Sequence, residues 1–347
     1  MTYVQASTLV VGVVASSIAW AGNVFGDAPS SINYSAVAIG SDNRLAIGFL
    51  ADASLGFQLN PPGSFGIIDL KTPQGILRKR IKKPAGISFS PLVDHQSVTA
   101  LAWSPHGGVL GIGKHDGEVL IWNEQTDSYQ LIGKHARCVR GILWAQDGRW
   151  VITASDDGRV IAWDVEKRER RRVYGDFQVT ALSLAVSQDG RQLAVAGMPG
   201  EVLIFDVASG ERVAKLPAEN LLPISVAFDQ KGKRVFCACT PGRIVAWSLE
   251  DRRIIAKPFF PNGGPGSIQF LPGESGRIVG VGGNSVEIWD ATTMKSIAQI
   301  SLEVSTSGLL DCVYDSARQR LYAMTRDEII VIAVGETELS RIETLPK

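Results

Sequence analysis

The chain has 347 residues with 35 basic and 35 acidic side chains, and so carries no formal net charge at pH 7. Because 45% of the residues are hydrophobic, the composition excludes a globally disordered chain, which would combine low hydrophobicity with high net charge. The balanced charge also removes bulk electrostatic attraction as a reason to bind nucleic acid or an anionic membrane. The length suffices for two average domains or one large β-architecture, and 36 glycines indicate many turns.

The N-terminal segment, residues 4–21, is apolar but interrupted by Gln5 and several hydroxyl side chains, which makes it too polar and too short for a clear transmembrane helix. Ala19-Trp20-Ala21 resembles a signal-peptide cleavage site, yet no Lys or Arg precedes it, as a secretory signal normally requires. The valine-rich stretch 9–14 favours a strand. We therefore expect residues 1–30 to be a lead that contains a structural strand, with a signal peptide as the alternative.

Beyond the lead, apolar stretches that end in an aromatic and a polar residue recur at a fixed period. Their aromatic residues are Trp122, Trp163, Phe205, Trp247 and Trp289, which are 41, 42, 42 and 42 residues apart. Weaker copies contain Ile68 upstream and Ile332 downstream. A period of this length is typical of repeat architectures, and seven units account for most of the chain.

Each unit contains four short predicted strands. In the unit that ends near residue 172, a first strand (139–144) precedes the polar turn at Asp147-Gly148, and a second strand (150–154) precedes the turn at Asp157-Gly158. The third strand carries the aromatic residue and is apolar at nearly every position, so both faces of each sheet are buried. Twenty-eight such strands exceed an open sheet, whereas radial stacking buries both faces. The sequence predicts an all-β, seven-bladed β-propeller of four-stranded antiparallel blades over residues 31–347.

With these repeats the chain resembles the WD-repeat family over roughly residues 30–335. In that family a His, a Ser or Thr, an Asp and a Trp form a buried hydrogen-bonded tetrad in each blade. The resemblance assigns this structural role to His135, Thr153, Asp157 and Trp163. The unit that ends at Trp122 keeps His95 and Asp116 but has Ile112 at the hydroxyl position, where the later units have Val195, Cys237 and Val279. The remaining blade-core aromatic residues are Trp122, Phe205, Trp247 and Trp289.

Ring closure has two solutions in the sequence. The last unit could be completed by residues 338–344, or an N-terminal strand near residues 8–15 could pair there, which is the usual closure in the family that the chain resembles. If the N-terminal strand closes the ring, residues 1–22 are not a signal peptide.

Catalytic or metal-binding patterns are weak. The sequence contains no G-x-S-x-G nucleophile motif and no phosphate-binding G-x-x-x-x-G-K-[ST] loop. His95, His115 and His135 are placed on one rim and could bind zinc, but two of them already have tetrad roles. Cys237 and Cys239 share a strand face and are interpreted as small core residues. We therefore expect no catalytic residues, no metal and no cofactor.

Two basic runs, residues 78–83 and 167–172, could grip phosphates. The second run includes Glu169 and has no interleaved aromatic residues, and basic outer strands also deter edge-to-edge pairing. Solvated blade edges are the favoured interpretation, with an anion or nucleic-acid contact as the alternative.

The loops give the sharper functional indication. Residues 51–65 and 84–97 lengthen two neighbouring loops and carry apolar side chains, which is typical either of a partner surface or of loops that fold back onto the scaffold. A third loop begins at Phe259. The predicted partner-binding residues on this rim are Leu55, Phe57, Leu59, Phe65, Phe89, His115, Arg140, Asp156, Met198, Thr240, Phe259 and Phe260.

We expect a non-catalytic scaffold that binds proteins or peptides on its loop-rich rim and serves as a subunit or adaptor of a larger assembly. The expected location is the cytoplasm, since the cysteine pattern fits a reducing compartment. Nucleic acid and membranes are not expected as partners. One alternative is an exported or periplasmic propeller that acts in envelope assembly, if the N-terminal segment is a signal. Another is a propeller hydrolase that uses the central funnel, although the predicted inner strands contain mostly Ala, Leu, Ser and Val.

Overall fold

In the computed structural model, the described residues are 34–40, 44–49, 64–70, 77–80, 97–176, 180–198, 200–260, 266–271, 276–304, 308–325 and 328–345. Within these ranges 28 strands form seven four-stranded antiparallel sheets, and there is no helix. Accordingly, the described part of the chain offers no helix long and apolar enough to cross a membrane. The predicted all-β fold with seven four-stranded blades is confirmed.

Each blade consists of four strands that are consecutive in sequence and in space. The strands of blades 1–3 are β1 (Tyr34–Ile39), β2 (Arg44–Phe49), β3 (Ser64–Asp69) and β4 (Leu77–Arg80); β5 (Val98–Trp103), β6 (Val109–Lys114), β7 (Glu118–Asn123) and β8 (Ser128–Lys134); and β9 (Val139–Trp144), β10 (Trp150–Ser155), β11 (Arg159–Asp164) and β12 (Glu169–Asp176). Those of blades 4 and 5 are β13 (Ala181–Val186), β14 (Gln192–Gly197), β15 (Glu201–Asp206) and β16 (Arg212–Pro217); and β17 (Leu222–Phe228), β18 (Arg234–Thr240), β19 (Arg243–Ser248) and β20 (Arg253–Ala256). Those of blades 6 and 7 are β21 (Ser267–Leu271), β22 (Arg277–Gly282), β23 (Ser285–Asp290) and β24 (Ser296–Ser301); and β25 (Asp311–Asp315), β26 (Arg320–Met324), β27 (Ile329–Val334) and β28 (Leu339–Thr344).

The blades close into a ring through their first strands. Each first strand lies against the first strand of the next blade, and β25 lies against β1. Short hairpin turns connect the strands of a blade, and glycines with positive φ make the sharpest of them, such as Gly117 (φ 88°) and Gly158 (φ 79°). The turns between second and third strands share one rim of the ring with the loops that lead into each blade.

The hydrophobic core lies between blades rather than within them. The side chains of β11 from Val160 to Trp163 are all buried, because one face of the strand packs on blade 2 and the other on blade 4. The aromatic residues Trp122, Phe205, Trp247 and Trp289 are buried in the same way. This double burial explains why the third strands are apolar at consecutive positions instead of alternating.

The ring is completed from the C-terminal side. The last strand, β28, occupies the outer place of blade 7 and pairs with β27 from Ile330↔Thr344 to Val334↔Leu339. The sequence offered two segments as the fourth strand of blade 7, and the C-terminal segment is the one that occupies this place. The predicted N-terminal strand, with the rest of residues 1–33, lies outside the described residues.

The candidate interaction rim and the tetrad beneath it

Blade 3 contains a continuous hydrogen-bonded chain of four side chains. The Trp163 indole Nε1 donates to Thr153 Oγ1 at 2.7 Å, and Thr153 Oγ1 lies 2.7 Å from His135 Nε2. His135 Nδ1 faces Asp157 Oδ2 at 3.0 Å. In the neutral histidine, Nδ1–H therefore donates to the carboxylate, and Nε2 accepts the threonine O–H. The structure thus places the four residues assigned by the resemblance in direct contact.

The electrostatics of the tetrad favour an ionised Asp157. Burial alone would raise its pKa, but hydrogen bonds from His135 and from the backbone N–H groups of Ala136 and Arg159 outweigh that effect and lower the pKa to about 2. The carboxylate thereby fastens the loop before β9 to the turn after β10. This connection fixes the rim above the tetrad.

On that rim, Arg140 and Asp156 form a bidentate ion pair. Arg140 Nε lies 2.9 Å from both carboxylate oxygens of Asp156, and Nη2 lies 2.6 Å from Oδ2. The backbone N–H of Asp156 also donates to Cys138 O at 3.0 Å. Since the two side chains hold each other in one geometry, this part of the rim presents a preformed polar surface.

The predicted rim residues of blades 2–5 occupy one repeated position. His115, Asp156, Met198 and Thr240 each stand five residues after the second-strand residue that pairs with the blade-core aromatic residue. His115 is exposed, Met198 is 41% exposed, and the other two are half-buried. Each of blades 2–5 therefore displays a different side chain at this position of the rim.

A charged cluster that the sequence analysis missed lies under this rim in blade 2. Lys114 is buried, and its Nζ lies 2.7 Å from Glu118 Oε2 and 3.2 Å from Asp116 Oδ2. Burial raises the pKa of Glu118, but Lys114 and Lys134 outweigh that effect and lower it. The alternating spacing Lys-x-Asp-x-Glu around a hairpin turn is the signal that would have indicated the cluster.

The structure corrects two of the predicted partner contacts. Phe65 and Phe260 are fully buried. Phe65 lies in β3 and packs edge-to-face on Trp122 with ring centroids 5.3 Å apart, and Phe260 packs on Trp289 at 5.7 Å. Both side chains belong to the core because their backbones continue sheet pairing, as the bond from Phe260 N to Gly242 O shows. The prediction that they bind partners is wrong.

Among the other predicted loop residues, Phe259 is exposed, and the rest lie in segments that the structure does not describe. Phe259 is 62% exposed, and the guanidinium of Arg243 lies 5.3 Å from its ring centroid. Residues Leu55, Phe57, Leu59, Phe89 and His95 lie outside the described residues.

The hydroxyl position of the later blades also needs a correction. The residue opposite Trp289 is Ile278, so the position that Thr153 occupies in blade 3 is filled in blade 6 by Gly280 and not by Val279. The shift arises because Gly282 pairs with Ser285, which makes this hairpin one residue shorter. A Cβ at Gly280 would lie 3.1 Å from the Trp289 ring and 3.2 Å from the Phe260 ring, so the small residue makes room for the two aromatic side chains.

Where the hydroxyl is missing, the indole N–H finds another acceptor. Trp122 Nε1 donates to Asp127 Oδ1 at 3.0 Å, and Trp247 Nε1 donates to Pro217 O at 3.3 Å. A buried indole N–H without a partner would cost about 1–3 kcal/mol, which explains these substitutes. The blade-core role of the aromatic ring thus persists without the tetrad.

The basic run 167–172 lies at the outer edge of blade 3. Arg171 is exposed and stacks over Trp150 with its guanidinium carbon 3.4 Å from the ring centroid. Arg172 donates to the carbonyls of Ala208, at 2.7 Å, and Ser209 in the neighbouring blade. Arg171 and Arg172 are therefore engaged in contacts within the ring.

Metal-ligating groups do not converge in the described part of the chain, where no set of three or more His, Cys, Asp or Glu side chains could hold an ion. His106 lies on the opposite rim, with Nε2 3.3 Å from Asp147 O. The four cysteines are buried free thiols, and burial raises the pKa of Cys138. The hydrogen-bonded blade-3 unit is the most extended side-chain network described above.

Comparison with protein families agrees with this geometry. The model described as "WD domain, G-beta repeat" matches residues 87–123 and 127–164, which include the complete tetrad. Two segments of the chain are therefore similar to WD40 repeats, and the described residues form a seven-bladed β-propeller.

Relatives of this propeller share short stretches with it. The human F-box-like/WD repeat-containing protein TBL1Y is 28% identical over 90 residues, which are 26% of this chain and 17% of that protein. The probable cytosolic iron-sulfur protein assembly protein 1 of Kluyveromyces lactis is 28% identical over 83 residues, covering 21% of this chain and 25% of that protein. The matched stretches thus span a quarter or less of these relatives.

Solved propellers extend the likeness to most of the ring, as fold only. A chain in the crystal structure of the mitotic checkpoint complex superposes with a TM-score of 0.64 at 16% identity, over 71% of this chain and 78% of that one. The β-propeller domain of Cps50 (Swd1) from Myceliophteria thermophila gives 0.64 at 17% identity, over 72% and 87% of the two chains.

Proposed function

We propose that this propeller is a protein-interaction scaffold, a subunit or adaptor of a multiprotein assembly, that docks proteins or peptides on the rim formed by His115, Arg140, Asp156, Met198 and Thr240. The observation that carries the proposal is the difference between the buried strands and the rim positions of blades 2–5. Buried strands repeat the same architecture, while one rim position per blade carries a different side chain on a fixed backbone. Such a surface can be tuned to one partner without a change in the scaffold.

The rim of blades 2–5 has two chemically distinct parts. The blade 2 and 3 part is charged, with the Lys114 cluster and the Arg140–Asp156 pair. The blade 4 and 5 part is more apolar, with Met198 and, farther out, Phe259 exposed. A partner that places polar groups on the first part and apolar side chains on the second would bury little unpaired charge. One of the similar folds belongs to a chain of a multiprotein assembly, the mitotic checkpoint complex, which supports a role of this kind.

The test is capture of partners by the tagged propeller from its own cells, with proteins identified by mass spectrometry. A variant with His115→Ala, Met198→Ala and Phe259→Ala should lose at least tenfold of the captured partner while keeping its melting temperature. The matched control replaces Leu131 and Ile255, which are 46% and 48% exposed on the outer strands β8 and β20, by Ala. Equal capture by rim variant and wild type, or equal loss in the control, would contradict the proposal.

Proteins or peptides are the proposed partner class, and the cytoplasm is the proposed location. The four free thiols support a reducing compartment, since none of them is paired in a disulfide. N-terminal sequencing of the mature chain from its native cell tests this proposal. A chain that begins at or near Gly22 would indicate export.

A further inference from the structure

The innermost strands of neighbouring blades are joined by a serine at one repeated position. Ser183 on β13 accepts a hydrogen bond from the backbone N–H of Val226 in blade 5 at 3.2 Å. Ser225 on β17 accepts in the same way from Ile268 in blade 6 at 3.1 Å. Both serines stand opposite the same position of their second strands, as the pairs Ser183↔Ala196 and Ser225↔Ala238 show. Each hydroxyl therefore satisfies an inner-edge N–H of the following blade.

Blades 6 and 7 break this pattern. The pairs Ser267↔Val281 and Asp311↔Met324 place a serine and then an aspartate at the equivalent positions. The expected donor to Ser267 is the backbone N–H of Cys312, but that N–H donates to Asp311 Oδ1 at 2.8 Å instead. Among the described residues, Ser267 Oγ and Asp311 Oδ2 are both buried without a well-formed hydrogen bond. The interface between β21 and β25, which we call the 6/7 seam, thus holds two unsatisfied oxygens.

Within the described ranges, which omit residues 326 and 327, no cation faces Asp311 to compensate a negative charge. From β21 it faces Ser267, from β26 it faces Met324, and the described β1 side chains of residues 36–39 are apolar. The adjacent Cys312 thiol has a pKa raised well above its ordinary value by burial. Charged side chains on these elements lie elsewhere. Asp315 and Arg320 are at the opposite end of their strands, and Glu328 in the neighbouring turn lies 3.9 Å from Arg341.

A hydrogen bond between Asp311 Oδ2 and Ser267 Oγ would satisfy both oxygens in either protonation state, and burial favours the state in which Asp311 is the neutral donor. A neutral Asp311 can donate its Oδ2–H to Ser267 Oγ across the seam, whereas an ionised Asp311 leaves a buried charge against a hydroxyl and apolar side chains. Burial raises the pKa of Asp311 to about 7, against partial lowering by Ser267 and the Cys312 N–H. A carboxyl whose pKa is higher in the folded than in the unfolded state stabilises the fold at low pH. Its contribution declines as pH rises from the unfolded pKa of about 4 toward 7.

We propose that Asp311 makes the 6/7 seam a pH-responsive element of the ring, closed while this carboxyl is protonated and loosened when it ionises. The serine-linked 4/5 and 5/6 seams lack a titratable group at this position and serve as internal references. The inference is independent of the partner rim, because it concerns the inner strands of blades 6 and 7.

Hydrogen exchange of the intact protein tests the proposal locally. Protection factors, which remove the intrinsic pH dependence of exchange, should fall roughly ten- to thirtyfold between pH 5.5 and 8.5 in peptides covering β21 and β25. Peptides covering β13 and β17 should change much less. Asp311→Asn keeps the shape without the charge, and Asp311→Ser restores the residue found in blades 4–6. Both should abolish the selective fall.

Three results would overturn the proposal: equal protection of the 6/7 seam at both pH values, an equal fall at all seams, or an unchanged fall in either variant. If neither variant folds, carbon NMR of the Asp311 carboxyl in the wild type decides. Titration in the neutral range supports the proposal, and titration below pH 5 refutes it.

Discussion

Trp163 donates its indole N–H to the hydroxyl of Thr153 on the adjacent strand, ten positions earlier in the chain. The bond ties the aromatic core of blade 3 to a polar chain that continues through His135 to Asp157 at the rim. Trp163, Thr153 and His135 are all buried. Loss of the threonine oxygen therefore leaves the indole N–H and a histidine nitrogen without partners.

Disruption of this tetrad should destabilise the ring measurably. Trp163→Ala is expected to cost about 3–5 kcal/mol of unfolding free energy, through the cavity and the lost hydrogen bond. Thr153→Val keeps the volume and should cost about 2–4 kcal/mol, because two buried polar atoms lose a partner. Urea melts followed by tryptophan fluorescence and circular dichroism measure both. Thr126→Val, in an exposed turn, is the control, and a cost below about 1 kcal/mol for Trp163→Ala would contradict the assignment.

The ionised state of Asp157 predicts an acid dependence. Its pKa is about 2 in the folded protein, below the ordinary value, so its contribution is present above the unfolded pKa of about 4 and is lost as pH falls toward 2. Wild type should therefore lose about 2 kcal/mol in that window, beyond what other carboxylates contribute. Asp157→Asn should be less stable at pH 6 and should show a smaller loss on acidification. Identical pH profiles for the two proteins would show that Asp157 contributes nothing specific.

Gly133 makes room for the blade-3 tryptophan. A Cβ at this position of β8 would lie 2.3 Å from Trp163 Cε3, so the glycine is a packing requirement across the blade 2–3 interface. Gly133→Ala should destabilise the protein by about 1–3 kcal/mol through overpacking. The cost should shrink in a Trp163→Phe background, which a double-mutant cycle of urea melts measures. Lys134→Ala, the exposed neighbour, is the control. Strict additivity of the two core changes would contradict the contact.

The last strand should be essential for the ring. β28 occupies the outer place of blade 7 and buries Leu345 beyond its end. Truncation after Gly335 removes this strand and exposes an edge of β27, so the protein should aggregate or lose its cooperative melt. Size-exclusion chromatography and calorimetry measure the outcome. A soluble truncated ring with the wild-type melting temperature would show that another segment fills this place.

The repeat period, the four strands of each unit and the aromatic core positions could all be predicted from the sequence. These features are local or periodic, because each blade repeats the same hairpins and the double burial of third strands leaves continuous apolar runs. The tetrad assignment came from the resemblance to the WD-repeat family, whose motif places the four residues at set offsets from the tryptophan, here Trp163. The same offsets failed in blade 6, where a shorter hairpin moved the register from Val279 to Gly280.

Other features required the tertiary structure, since they depend on which blade faces which. Exposure of a loop aromatic residue cannot be read from its identity, and Phe259 points outward while the adjacent Phe260 is buried against Trp289. Closure by β28 depends on pairing between segments that are both strand-like in sequence. The seam around Asp311 arises from two strands about 44 residues apart and has no local signature. Thus the sequence determined the unit and its number, and contacts between units decided which side chains remain available.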